Sequence, residues 1–97
     1  MYIVIRRFAT QPSKVDEVVR KVDEQLLEKL NLLSGFESYY ALDSGEGKLT
    51  SIIVCADKDS AHDSVRMAKE FIDTWLAEIH MELIETIEGK VVVHGGS

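Results

Sequence analysis

The chain has a single cysteine, a single proline, a single tryptophan and three histidines in 97 residues, and each scarcity excludes something. A lone Cys55 cannot close an internal disulfide, which fits a reducing compartment. Set inside an apolar run, Cys55 reads as a small buried hydrophobe rather than a nucleophile. His62, His80 and His94 stand far apart, with no pair of ligands one helical turn apart and no cysteine partner, so no metal and no cofactor is expected. Basic residues are also few, 11 Lys and Arg against 17 Asp and Glu for a net charge of -6. Such a chain lacks the clustered basic face that nucleic acid requires. It has no apolar run of membrane-spanning length, and "MYIVIRRFA" lacks the basic start and small-residue cleavage site of a secretory signal; the expectation is a cytoplasmic protein with no membrane partner. No serine, threonine or cysteine sits in a nucleophile context. "GEGK" leads into a strand, so no helix N-terminus awaits a phosphate there.

What remains is enough for one core. With 45% hydrophobic residues in this length, residues 1–97 read as a single small domain that would gain stability from self-association. Tyr2 to Ala9, "YIVIRRFA", has the β-branched and aromatic density of a strand. Pro12 and Ser13 read as a helix entry, with Ser13 as N-cap and Asp16 at the positive end of the helix dipole. Val15, Val18, Val22, Leu26, Leu30 and Leu33 then recur at helical spacing, and Gly35 supplies a left-handed cap. Phe36–Asp43 and Lys48–Ala56 flank the turn-rich "SGEG" and read as a hairpin. Asp57, Asp59 and Ser60 open a second helix, whose stripe through Val65, Ala68, Ile72, Trp75, Leu76 and Ile79 predicts an end near Leu83. "GKVVVH", Gly89 to His94, predicts the last strand.

The order βαββαβ is met most simply by an α+β, ferredoxin-like plan, a four-stranded antiparallel sheet with both helices on one face. A sheet covered on one side alternates apolar with polar residues, and these strands do not. In the first, Ile3 and Ile5 oppose Tyr2, Val4 and Phe8; in the third, Leu49 and Ile53 oppose Ile52 and Val54. Both faces need cover, which predicts a homodimer packed sheet against sheet.

Across nearly the whole chain, from "MYIVIRRF" through "LLSGFESYYALDSGEGKLTSIIVCAD" to "VVVH", the pattern resembles the dimeric α/β-barrel superfamily and, within it, the antibiotic biosynthesis monooxygenase-like group. "GFESYYALD" is similar to the glycine-aromatic start of strand 2 in that group. The resemblance implies a pocket between helices and sheet, a last strand that reaches the partner subunit, and an activity among several, including cofactor-free oxygenation of polycyclic phenols. The haem-degrading branch is not matched. Trp75 on "FIDTWLAE" looks similar, but Arg7 stands where that branch carries asparagine, and Glu85 stands where its iron-ligating histidine would fall.

Candidate site residues follow from faces and spacing, set against the helix–sheet pocket and the shared last strand that the resemblance implies. Five positions separate Trp75 from His80 by about 140° on one helix, so they do not share a face. Phe71 and Trp75, four apart, do, and are expected to form the apolar wall of a substrate pocket. Arg7 is expected opposite them, on the Ile3 and Ile5 face of strand 1, as an anion-holding catalytic residue, with Arg6 toward the dimer. Tyr39 and Tyr40 point to opposite faces, so one is expected to bind substrate. His94 is the candidate acid/base group at a shared site. The reading is a small-molecule-binding domain resembling cofactor-free monooxygenases of quinol or polyketide-like aromatics. The alternative is a non-catalytic dimeric stress-related or accessory binding protein.

Overall fold

A computed structural model describes residues 1–96. Strand β1 (Tyr2–Ala9) follows the predicted bounds. A 3-10 turn, Pro12–Lys14, leads into α1 (Val15–Lys21), a π-helical segment Val22–Leu26 and α2 (Leu27–Leu30), which together form one continuous helical rod. Strands β2 (Phe36–Gly45) and β3 (Lys48–Cys55) form the hairpin, α3 spans Lys58–Trp75, and β4 spans Glu82–Lys90. The sheet order is β2-β3-β1-β4 with every pairing antiparallel, the ferredoxin-like arrangement expected.

The core lies between the sheet and the helices. Val18, Leu26 and Leu30 from the first rod and Ala61, Ala68 and Phe71 from α3 close over Val4, Leu49, Ile53 and Cys55. Cys55 is fully buried, its Sγ 3.4 Å from the Ser64 Oγ, which donates in turn to the Ser60 carbonyl at 3.0 Å. The π-helical turn takes one more residue than an α turn, which re-aims the stripe so that Val18, Leu26 and Leu30 all reach the sheet. No described helix is long and apolar enough to cross a membrane.

Four local expectations are corrected. Ser13 makes no capping hydrogen bond, because the chain enters α1 through the 3-10 turn, where the backbone N–H of Lys14 finds the Gln11 carbonyl. Gly35 is left-handed at φ 82°, but the rod ends earlier, at Leu30, and the Gly35 carbonyl instead accepts from Ala56 at 2.8 Å. The second helix stops at Trp75, well short of Leu83. The last strand is Glu82–Lys90, and "VVVH" lies beyond it, with Val91 N–H donating to the Met1 carbonyl at 2.9 Å. The last two errors share one cause. Leu76 and Ile79 keep the helical spacing and are buried, but they sit in a turn. A helix to Leu83 would leave Phe8 and Ala9, paired with Leu83 and Glu82, without partners on that edge. The Asp57 cap does form, its Oδ1 accepting from Ser60 N–H at 2.8 Å, which holds the Asp57 carboxyl below its usual pKa.

The hairpin reverses at Glu46 and Gly47, φ 55° and 79°, both left-handed as a two-residue type I′ connection demands. A Cβ on Gly47 would collide with the Thr10 carbonyl, whose residue donates its own N–H to the Gly47 carbonyl at 2.8 Å. Gly45 is also left-handed at φ 90°, yet nothing lies within 4 Å of a Cβ there. Gly45→Ala is therefore expected to cost only the backbone term, about 1–2 kcal/mol. Gly47→Ala is expected to cost clearly more; equal midpoint shifts for the two in urea unfolding would show that the Thr10 contact does not matter.

Candidate functional site

Period 2 in the strands decides which side chains meet the helices. In β1 the inward set is Val4, Arg6 and Phe8, all buried; Ile3, Ile5 and Arg7 point to the open face. The expected assignment of the two arginines is therefore reversed. Arg7 is half exposed and its Nη1 lies 3.5 Å from Glu85 Oε2 on β4, its register partner. Arg6 is the arginine under the helices.

A pocket opens between the sheet, the first helical rod and α3. Its floor is Arg6, Phe8, Tyr39 and Ser51; its walls are Val18, Val22 and Leu26 from the first rod and Phe71, Ile72 and Leu76 from α3 and the turn after it, with Met81 at the rim. Free volume is about 50 Å³. Among these apolar walls, Arg6 is only 4% exposed. Its guanidinium carbon sits 4.9 Å from the centroid of the Phe8 ring, a cation–π contact. No carboxylate among the described residues forms an ion pair with it. Burial pulls the Arg6 pKa below its ordinary value, partly offset by Tyr39. Tyr39 is pushed the other way, up to about 12, because burial disfavours its phenolate more than Arg6 favours it. The pocket thus holds a cation and a neutral phenol, an arrangement that donates hydrogen bonds and receives negative charge.

The other expected site residues disperse. Phe71 is buried in the pocket wall. Trp75, four residues on, is the last residue of α3 and 38% exposed; it does not line the pocket, and its carbonyl accepts from Lys21 Nζ at 3.1 Å. Helix termination replaces it with Leu76. Tyr39 and Tyr40 do take opposite faces: Tyr39 is the inward one, and Tyr40 is 55% exposed on the open face. His94 is exposed beyond β4 and away from the pocket. His80, expected on the helix edge, lies in the loop before β4, where its carbonyl accepts from Thr10 Oγ1 at 2.6 Å. Arg6 was missed because both faces of β1 are apolar; the available signal was its parity with Val4 and Phe8.

Solved structures share this fold. HapK from Hahella chejuensis superposes with a TM-score of 0.77 at 10% identity, covering 100% of this chain and 98% of that one. The fold is that of these proteins. A putative antibiotic biosynthesis monooxygenase from Chloroflexus aurantiacus J-10-fl gives 0.73 at 18% identity over 98% and 96% of the two chains. A dimeric ferredoxin-like protein from an uncultured marine organism gives 0.73 at 14% identity over the full length of both. No family model matches the sequence, and neither does any curated protein. The ferredoxin-like plan and its likeness to monooxygenase-like structures are therefore matters of backbone.

Tyr39 offers a direct check on the pocket's electrostatics. In the folded state it keeps its proton to about pH 12, against 10.0 for an unburied phenol. Between these values the unfolded chain releases a proton that the folded chain retains, so stability falls as pH rises through this window. Urea unfolding at pH 9 and pH 11 is expected to show a larger loss for the natural sequence than for Tyr39→Phe. Parallel losses would place the phenol in water.

Proposed function

We propose that this chain is a small-molecule-binding protein whose helix–sheet pocket takes an acidic aromatic, a phenol or enol, and stabilises its anion at Arg6. One observation carries the reading: Arg6, a residue 4% exposed, brings its guanidinium to the floor of an apolar cleft, and no carboxylate among the described residues pairs with it. Burying an unpaired cation is costly, and a ligand oxyanion would offset that cost. Arg6 supplies N–H donors in a fixed fork and Tyr39, protonated at neutral pH, supplies a hydroxyl.

The chemistry such a site favours is cofactor-free monooxygenation of quinol or polyketide-like substrates. The phenolate or enolate itself gives electrons to dioxygen; a ring CH2 becomes C=O, and the second oxygen leaves as water with the two hydrogens. The protein need only hold the anion and exclude water. Arg7, Trp75 and His94 lie outside the pocket and have no part in this reading.

Two observations favour the second reading, a non-catalytic binding or accessory protein. Free volume of about 50 Å³ is below the roughly 150 Å³ that admits benzene in a rigid cavity, so a ring enters only by displacing flexible wall residues such as Met81. No histidine lines the pocket to take a proton.

We propose as well that the open sheet face packs on a second copy. A row of register partners, Tyr40, Ile52, Ile5 and Ile87, crosses all four strands of that face, with Ile87 52% exposed. The marine protein of the same fold is described as dimeric. Beyond β4, Val92 and Val93 are 83% and 86% exposed, as expected of a segment completed by another chain.

Titration with a panel of quinols and anthrones, with oxygen consumption followed in parallel, separates the readings. Saturable binding weakened roughly tenfold or more by Arg6→Met is expected. Oxygen uptake selects the oxygenase, binding without uptake selects the accessory protein, and absence of binding rejects both. Sedimentation is expected to give a dimer at micromolar concentration and a monomer for Ile87→Lys; a stable monomer of the natural sequence would contradict sheet-to-sheet assembly.

A further inference from the structure

On the other side of α3 a second, wider cleft lies between that helix and β4. The helix rests over β3 and β1 and leaves the inward side of β4 uncovered, so Leu83, Thr86 and Glu88 form one wall. The facing wall is His62, Val65, Arg66 and Lys69, positions i, i+3, i+4 and i+7 of α3 and hence one helix face. Val4 and Arg6 form the floor, and the free volume is about 360 Å³ against about 50 Å³ for the neighbouring pocket.

The charge of this cleft is opposite to that of the chain. In a protein of net charge -6 it gathers Arg6, Arg66 and Lys69, with His62 beside them. The one acid in it, Glu88, is occupied by His62, Nε2 to Oε2 at 3.1 Å. Arg66 leans outward onto Asp63 at 3.0 Å, and Lys69 forms no ion pair among the described residues. Arg6 is the decisive group, because the residue is more than nine-tenths buried, borders this cleft as well as the pocket, and has no ion-pair partner among the described residues. Val4, Val65 and Leu83 add an apolar strip beside the cations.

We propose that this cleft is a second binding site, for a small amphipathic oxyanion: a carboxylate or phosphate on a compact apolar body. The anionic group meets Arg6 and Lys69, Arg66 swings from Asp63 to close the rim, and the body lies along Val4, Val65 and Leu83. The site shares Arg6 with the pocket that takes the phenol but is otherwise built from α3 and β4, and it does not require that pocket to be occupied.

Titration of the 15N-labelled protein with phenyl phosphate and, separately, with benzoate tests this and distinguishes the two anion types. At least one is expected to bind saturably, shifting amides over 62–69 and 83–88, with affinity falling as salt rises. Arg66→Ala and Lys69→Ala, both at exposed positions, are each expected to weaken binding roughly tenfold or more while leaving phenol binding in the pocket unchanged. The proposal is overturned if neither anion shifts those amides. It is equally overturned if both variants keep full affinity, or if the shifts are confined to Val18, Leu26 and Met81 in the other pocket.

Discussion

Everything in this fold is referred to β1, which is hydrogen-bonded along its whole length on both edges, to β3 on one side and β4 on the other. A strand in that position presents two faces, and here each has an apolar neighbour to find. One face, Val4, Arg6 and Phe8, is closed by helices; the other, Ile3 and Ile5, is continued across the sheet by Ile52 and Ile87. The double pairing also sets how far the chain after α3 can remain helical. Backbone groups of Phe8 and Ala9 must be satisfied, and the hydrogen bonds of β4 meet that need from Glu82 onward, whatever helical spacing the side chains carry.

The cost of this plan is concentrated at Arg6. Its parity carries it under the helices, where the Phe8 ring stabilises its positive charge by a cation–π contact. A leucine would pack there without a desolvation penalty. Retaining a buried cation between a narrow apolar pocket and a broad cationic cleft is a burden on stability that becomes intelligible if the charge meets a ligand. Both clefts exist because α3 is a single helix over a four-stranded sheet: it can lie against the first rod or against β4, and it leaves space on each flank.

Legibility followed the range of the interactions, with the Ser13 and Gly35 caps as local exceptions. The bounds of β1, the Asp57 cap and the Glu46-Gly47 reversal rest on neighbours a few residues away, and all were readable or nearly so. "ELIETIEGK" was not, because glutamate, leucine and isoleucine suit a helix and an edge strand alike, and β1 is some eighty residues distant. The same limit applied to the site. That Arg6 and Arg7 oppose each other, and that Tyr39 and Tyr40 do, was certain from alternation; which of each pair met the helices was not, since both faces of the sheet are apolar.

By itself, then, the amino-acid order determined that four strands and two helices would form, that the sheet would have two apolar sides, and that the residues dividing between those sides would include two arginines and two tyrosines. These follow from periodicity and steric preference, properties of the chain a few residues at a time. Only the tertiary structure decided that Arg6 and Tyr39 face inward, that Trp75 ends its helix outside the pocket, and that "VVVH" falls past the last strand. Each of those outcomes depends on which surface packs first against which, and packing between distant segments has no local signature.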